Sequence, residues 1–101
     1  MERANHQIDG SHSLTTDLEL HGMVTGDLTV PTGREVRLHG LVTGDLIIEK
    51  GAKALVAGMV NGTVVNYGGD VQIDGMVGAV RDFDQSNPTV VTPNARIVGV
   101  A

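Results

Sequence analysis

Gly22-Met23-Val24-Thr25-Gly26-Asp27-Leu28 is the stretch that decides the fold of this chain, because the chain repeats it. Copies of the same pattern begin at Gly40 and Gly58, at equal steps along the chain, and a shortened fourth copy begins at Gly75, after a step one residue shorter. Self-similarity at a short fixed period is typical of a solenoid, in which each repeat is one coil that buries its apolar side against its neighbours. The repeat therefore indicates how the chain is built, and only weakly what it does.

Side chains alternate in character along these repeats. From Leu18 to Val64 nearly every even-numbered position is apolar or glycine, whereas the odd-numbered positions carry most of the charged and hydroxyl side chains. An alternation of period two is typical of β-strands with one buried face. Frequent glycine would also cost a helix about 1 kcal/mol per site. After Gly68-Gly69 the apolar positions become odd-numbered, as the shorter step requires if the same face is to stay inward.

The even period predicts the architecture, because it keeps one face inward from coil to coil. Three sheets per coil are expected, through residues 22–27, 28–33 and 34–39, stacked as parallel ladders about 4.8 Å apart. We predict an all-β, single-domain parallel β-helix (β-solenoid) with three faces, about 18 residues per coil and roughly four to five coils. A meander of antiparallel hairpins is the alternative, but it does not explain why equivalent residues recur at this fixed period.

Changes in this pattern divide the chain into four segments. The solenoid repeats span residues 18–80. Residues 1–17 hold few apolar positions and are predicted to form an N-terminal tail or loose cap. Residues 81–88 break the pattern as an inserted loop, and residues 89–101 restore it as a terminal coil. We expect Phe83, in that loop, either to cover an open end of the solenoid or to pack beneath its own loop.

Composition excludes several functional classes. The 101-residue chain has 7 basic and 12 acidic residues and a net charge of −5, which argues against nucleic acid as a partner and is compatible with a basic protein partner. It has no cysteine, and hence no disulfide or thiolate site. No apolar run approaches the roughly 20 residues of a membrane span. The polar N-terminus lacks a secretory signal, so a cytoplasmic protein is expected.

The repeats resemble those of a known family. The Gly-Met-Val-Thr-Gly-Asp-Leu motif, the corner Glu49-Lys50-Gly51-Ala52 and the returning Val56-Ala57-Gly58 are similar to repeats of bactofilins, bacterial polymer-forming cytoskeletal proteins. The resemblance covers about residues 18–80. It implies a right-handed β-helix that forms homo-oligomers end to end through its terminal coils, with no nucleotide. In this chain the implied terminal-coil contacts are Leu18, Leu20, Ile97 and Val98.

Two polar columns on the outer surface are candidate sites. His21 and His39 are one coil apart and could hold a metal ion with a third ligand, but the next coil offers Ala57. We therefore predict solvated histidines and no metal site. Asp27 and Asp45 could serve acid–base chemistry or bind calcium. Each follows a glycine at a bend, so we expect it to accept a backbone N–H there. No catalytic residue and no cofactor is predicted.

An apolar column is the more promising candidate. We name it the outward stripe, and it consists of Met23, Leu41, Met59 and Met76, with Ile47 and Val65 on the adjacent sheet. An exposed apolar stripe on a small protein usually marks an interface, and methionine adapts well to such surfaces. Alternatively, the N-terminal segment or the loop 81–88 covers the stripe, or a sheet corner turns its side chains inward.

Three functions of different classes follow from these features. The first is a non-enzymatic, self-associating structural solenoid of the bactofilin kind. The second is a small acidic binding module, such as an immunity or antitoxin protein that occludes a basic toxin. The third is an enzyme of the left-handed hexapeptide-repeat class, whose coils have the same length. Glycine spacings of four, seven and seven fit that class poorly, and no nucleophile motif is present, so we expect no enzyme.

Overall fold

The chain folds as a β-solenoid. A computed structural model describes residues 2–84 and 87–98, which are all-β, with parallel strands stacked in about five turns of about 18 residues. This confirms the predicted fold class and period. No helix in the described part of the chain could cross a membrane. The strands are β1 Glu2–Ala4, β2 Gln7–Ile8, β3 His12–Ser13, β4 Leu18–Leu20, β5 Met23–Val24, β6 Leu28–Val30, β7 Glu35–Leu38, β8 Leu41–Val42, β9 Leu46–Ile48, β10 Lys53–Val56, β11 Met59–Asn66, β12 Asp70–Ile73, β13 Met76–Asp82, β14 Val90–Val91 and β15 Arg96–Ile97.

The strands line three faces, as the period predicted. The first face is the sheet β1-β4-β7-β10-β12-β14. The second and third faces belong to one sheet that turns a corner, because β11 and β13 run through both of them. On the second face β2, β5 and β8 lie in register with the start of β11, and on the third β3, β6 and β9 lie in register with its end. All these pairings are parallel.

The core is a column of aliphatic side chains along the solenoid axis. The even-numbered aliphatic side chains from Leu18 to Val64 are buried, and after the Gly68-Gly69 corner the buried positions become Val71, Ile73 and Val77. The predicted change of parity is therefore confirmed. A second register shift lies between Val60 and Thr63, where β13 is one further residue short. Val80, an even-numbered residue, consequently packs against the core again.

Glycine at the start of each repeat is required by a close approach between coils. A Cβ atom on Gly40 would lie 1.9 Å from the carbonyl oxygen of Gly22, and Gly58 and Gly75 meet the coil below in the same way. At another corner, Gly33 has a φ of 82° and open space around it, so its backbone conformation is what favours glycine. The two kinds of glycine thus recur for different reasons.

The N-terminal segment adds a coil to the solenoid. Its strands β1, β2 and β3 pair in parallel with β4, β5 and β6, with Glu2 opposite Leu18. Because this register pairs even-numbered residues with even-numbered ones, Ala4 and Leu14 are buried with the rest of the core. Where the sequence predicts a tail or loose cap over residues 1–17, the described residues 2–17 form the first coil, and Leu18 begins the second.

At the other end, the predicted loop 81–88 is partly strand. Arg81 and Asp82 complete β13 and pair with Val65 and Asn66. The ring of Phe83 stacks on that of Tyr67, with centroids 5.0 Å apart, and both rings stay exposed. Phe83 therefore covers a neighbouring aromatic ring on the outer surface and leaves the core of the last coil open.

Candidate functional site

Glu19, His21 and His39 form a compact polar cluster on the outer surface. The rings of His21 and His39 stack with centroids 4.9 Å apart and an angle of 8° between their planes. Glu19 Oε1 and His21 Nε2 are 2.7 Å apart, a hydrogen-bond distance. One ligand atom from each of the three residues lies within 4.8 Å of the others. The stacked pair that the sequence predicted therefore has a third potential metal ligand.

The backbone fixes the positions of these three residues. Glu19 lies in β4, and the N–H of His21, directly after that strand, donates to the carbonyl of Ala4 over 2.8 Å. His39 repeats the arrangement one coil later, since its N–H donates to the carbonyl of Leu20 over 2.8 Å. The two imidazoles project in parallel because their backbones are equivalent rungs of one ladder.

A hydrogen bond and a neighbouring charge favour the ionised form of the Glu19 carboxylate. The hydrogen bond with His21 lowers the pKa of Glu19, and the nearby positive charge of Arg3 lowers that pKa further, while partial desolvation opposes both. An Arg3 guanidinium nitrogen lies 3.7 Å from Glu19 Oε1. The cluster thus combines an anionic oxygen donor with two imidazole nitrogens.

Glu19 was missed because the repeat directs attention to residues one coil apart. In its own column Arg3 lies below it and Arg37 above it, so no acidic column is visible in the sequence. The available signal was the spacing Glu19-x-His21, which places both side chains on the outward face of one extended segment.

The aspartate column is a hydrogen-bonded ladder. Asp27 Oδ1 accepts the backbone N–H of Asp45 over 2.8 Å, and Asp45 Oδ1 accepts that of Thr63 over 2.8 Å. Ser11 extends the ladder downward, because its hydroxyl accepts the N–H of Asp27 over 3.3 Å. These carboxylates accept backbone N–H groups, as expected, but the donor lies one coil further on and not in the bend itself. They therefore join the coils.

The outward stripe is continuous, and most of its side chains are half-buried. Met23, Leu41, Met59 and Met76 are opposite one another in successive strands of the second face. Only Met59 among these four is exposed, at 38%. Ile47 and Val65 pair in the same way on the third face, and both are half-buried. In the N-terminal coil the residue opposite Met23 is the polar Gln7, so the apolar side chains of the stripe end at Met23.

A groove on the first face was not predicted. It has a volume of about 400 Å³ and lies between the outward side chains of β7, β10 and β12 and the segment after β13. Asn87 forms part of its wall, and its side-chain amide donates to the carboxylate of Asp70 over 2.8 Å. The groove mixes both signs of charge, since its lining includes Arg37 and Lys53 as well as Glu35 and Asp70. The residues lining it are Glu35, Arg37, Lys53, Ala54, Leu55, Asp70, Val71, Gln72, Asn87, Pro88 and Val90.

The two ends of the solenoid differ in how they close. In the last coil Val91 lies in register with Ile73, and Ile97 with Val77. Ile73 and Val77 are fully buried, whereas Val91 is 44% exposed and Ile97 is 46% exposed. Val98 is exposed as well. Of the predicted terminal-coil contacts, Ile97 and Val98 are therefore in the last coil of the described residues and are not covered by it. Leu18 and Leu20 are buried beneath β1, at the other end of the chain.

Comparisons with protein-family models, curated proteins and solved structures find no match.

Proposed function

We propose that this chain is a non-enzymatic structural protein that self-associates end to end, in the manner that its resemblance to bactofilins implies. The observation that carries the proposal lies in the last coil of the described residues, where Val91 and Ile97 continue the core column but remain about half exposed. The free energy falls when another coil covers apolar side chains that are aligned with a core. A second copy of the chain offers such a coil.

Strand edges that have no partner among the described residues support the same mode of association. In the sheet orders β1 is the outermost strand at one end of the first face and β14 at the other. Such edges present backbone N–H and C=O groups that can pair with a further parallel strand. Because the two ends differ, their contact would be head to tail, and a head-to-tail contact that does not close generates a filament. The proposal includes a cytoplasmic location, as the sequence predicts.

Light scattering coupled to size-exclusion chromatography, over a hundredfold range of concentration, tests the proposal. Ile97→Lys places a charge at the exposed end and should reduce the assemblies to monomers, whereas Asn61→Lys adds the same charge to the exposed side of the solenoid and should leave them intact. Negative-stain microscopy of the same fractions should show filaments for the unaltered chain. Monomers at every concentration, or assembly unchanged by Ile97→Lys, would refute end-to-end growth.

An acidic binding module is the second candidate, and the exposed Met59 at the middle of the outward stripe favours it. The proposed occupant is a basic protein, because the chain carries a net charge of −5. Pull-down of basic proteins encoded beside its gene is the direct assay. Leu41→Glu with Met59→Glu should abolish that capture while the circular dichroism spectrum stays β-rich. Equal capture by the doubly substituted protein would exclude the stripe as the binding surface.

A further inference from the structure

We propose that Glu19, His21 and His39 bind one divalent transition-metal ion of the Zn²⁺ class, which joins the second coil of the solenoid to the third. The donor set carries the inference, because imidazole nitrogen and carboxylate oxygen are ligands that Zn²⁺ takes in proteins. Its three donor atoms come from two coils and lie within 4.8 Å of one another. The site is independent of how the solenoid ends associate.

The distances between the three donor atoms are close to those between the ligand atoms of a bound ion. Zn–N and Zn–O bonds of about 2.0–2.2 Å in a tetrahedron put neighbouring ligand atoms roughly 3.3–3.5 Å apart. A pair of donors near the 4.8 Å limit must therefore approach by about 1 Å or more. Glu19 Oε1 and His21 Nε2, which are 2.7 Å apart, must instead separate by roughly 0.6–0.8 Å. Both imidazoles are exposed and can rotate about their side-chain bonds, while the backbone ladder holds their Cα atoms in register. Rotation also tilts the stacked rings so that their nitrogens converge on one point.

Two of the three donor atoms are already in direct contact through a hydrogen bond. Glu19 Oε1 and His21 Nε2 already share a hydrogen over 2.7 Å. Coordination through both atoms requires Nε2 without a hydrogen, so a neutral His21 would carry its hydrogen on Nδ1 and both electron pairs would face the ion. Arg3, 3.7 Å from Glu19, leaves the carboxylate as the ion arrives and remains an exposed side chain.

Three protein ligands leave one tetrahedral position for water. The next rung of the histidine column is Ala57, which carries no ligand, and the rung below His21 is Asn5, since Ala4 lies opposite Leu20. The ion would therefore bridge only the second and third coils. A ligand that binds the folded state alone raises its stability, so Zn²⁺ should raise the melting temperature.

Isothermal titration calorimetry of the full chain with ZnCl₂, after removal of metal by a chelator, tests the site. We expect one ion per chain. His21→Ala or His39→Ala should weaken binding at least tenfold, and Glu19→Gln should weaken it measurably. His6→Ala, which removes an exposed histidine outside the cluster, is the matched control and should leave the affinity unchanged. Affinity that survives both His21→Ala and His39→Ala, or that falls equally in His6→Ala, would overturn the proposal.

Thermal unfolding followed by circular dichroism tests the joining of the coils. Saturating Zn²⁺ should raise the melting temperature of the unaltered chain and of His6→Ala, and Mg²⁺, which prefers oxygen ligands, should not. The increase should vanish in His39→Ala, whose melting temperature without metal serves as its own reference. Stoichiometric binding with no increase in melting temperature would show that the ion does not stabilise the contact between coils.

Discussion

The carboxylate of Asp27 accepts the backbone N–H of Asp45, its equivalent one coil further along the chain, over 2.8 Å. Through this contact, the aspartate at the bend of one coil is hydrogen-bonded to the next coil. Asp45 repeats it toward Thr63, so the two aspartates are consecutive members of one ladder. An acidic pair that could have been catalytic is therefore engaged with backbone at both positions.

Asp45→Ala should destabilise the protein by about 1–3 kcal/mol, because the partly buried N–H of Thr63 then lacks its acceptor. For a domain of this size each kcal/mol lowers the melting temperature by about 4–8 °C. Asp45→Asn keeps an acceptor oxygen and should lose less. Thermal unfolding measures both, with Glu49→Ala on an exposed corner as the control. Equal losses in Asp45→Ala and Glu49→Ala would contradict the role of the ladder.

Gly40→Ala should be much more damaging than Gly33→Ala. A Cβ atom on Gly40 meets the backbone of Gly22 at 1.9 Å, and no side-chain rotation relieves a backbone clash. We expect a loss above about 3 kcal/mol or failure to fold. Gly33→Ala meets open space and loses only the preference of glycine for positive φ, about 1–2 kcal/mol. Chemical denaturation ranks the two, and a smaller loss for Gly40→Ala would contradict the close packing of the coils.

The core was predictable because its signal is local and repeated. Burial at even-numbered positions, with the change of parity after Gly68-Gly69, follows from strand geometry and an even period. The first coil escaped prediction because it is polar and shorter than the repeat, with Gln7 opposite Met23 in the outward stripe and His12 opposite the fully buried Leu28. Its parallel pairing depends on contacts with the second coil, which composition does not reveal.

The candidate site was only half predictable. The stacking of His21 on His39 follows from the period, whereas Glu19 enters the cluster through its own strand and not through the repeat. The degree of exposure of the stripe side chains also could not be predicted from the sequence. Met23, Leu41 and Met76 have outward parity, yet they are half-buried, and parity alone does not predict this.

Met59→Glu should be tolerated, whereas Val60→Glu should prevent folding. The two residues are adjacent in β11, but Met59 faces outward and Val60 is buried in the core. A charge at the outward position stays in water, with an expected change below about 1 kcal/mol, while an unpaired charge in an apolar core is strongly unfavourable. Circular dichroism and the yield of soluble protein distinguish the two variants. Similar behaviour of both would contradict the assigned parity of this strand.

Ala57→His should strengthen metal binding at the proposed Zn²⁺ site. Ala57 is exposed and continues the histidine column, since its N–H donates to the carbonyl of Leu38 over 2.8 Å just as that of His39 donates to Leu20. A third imidazole can take the position left for water, so we expect at least tenfold tighter binding with one ion per chain. Asn61→His, on an exposed position of another face, is the matched control. Calorimetry with ZnCl₂ compares them, and equal affinities would show that the ion does not lie on the histidine column.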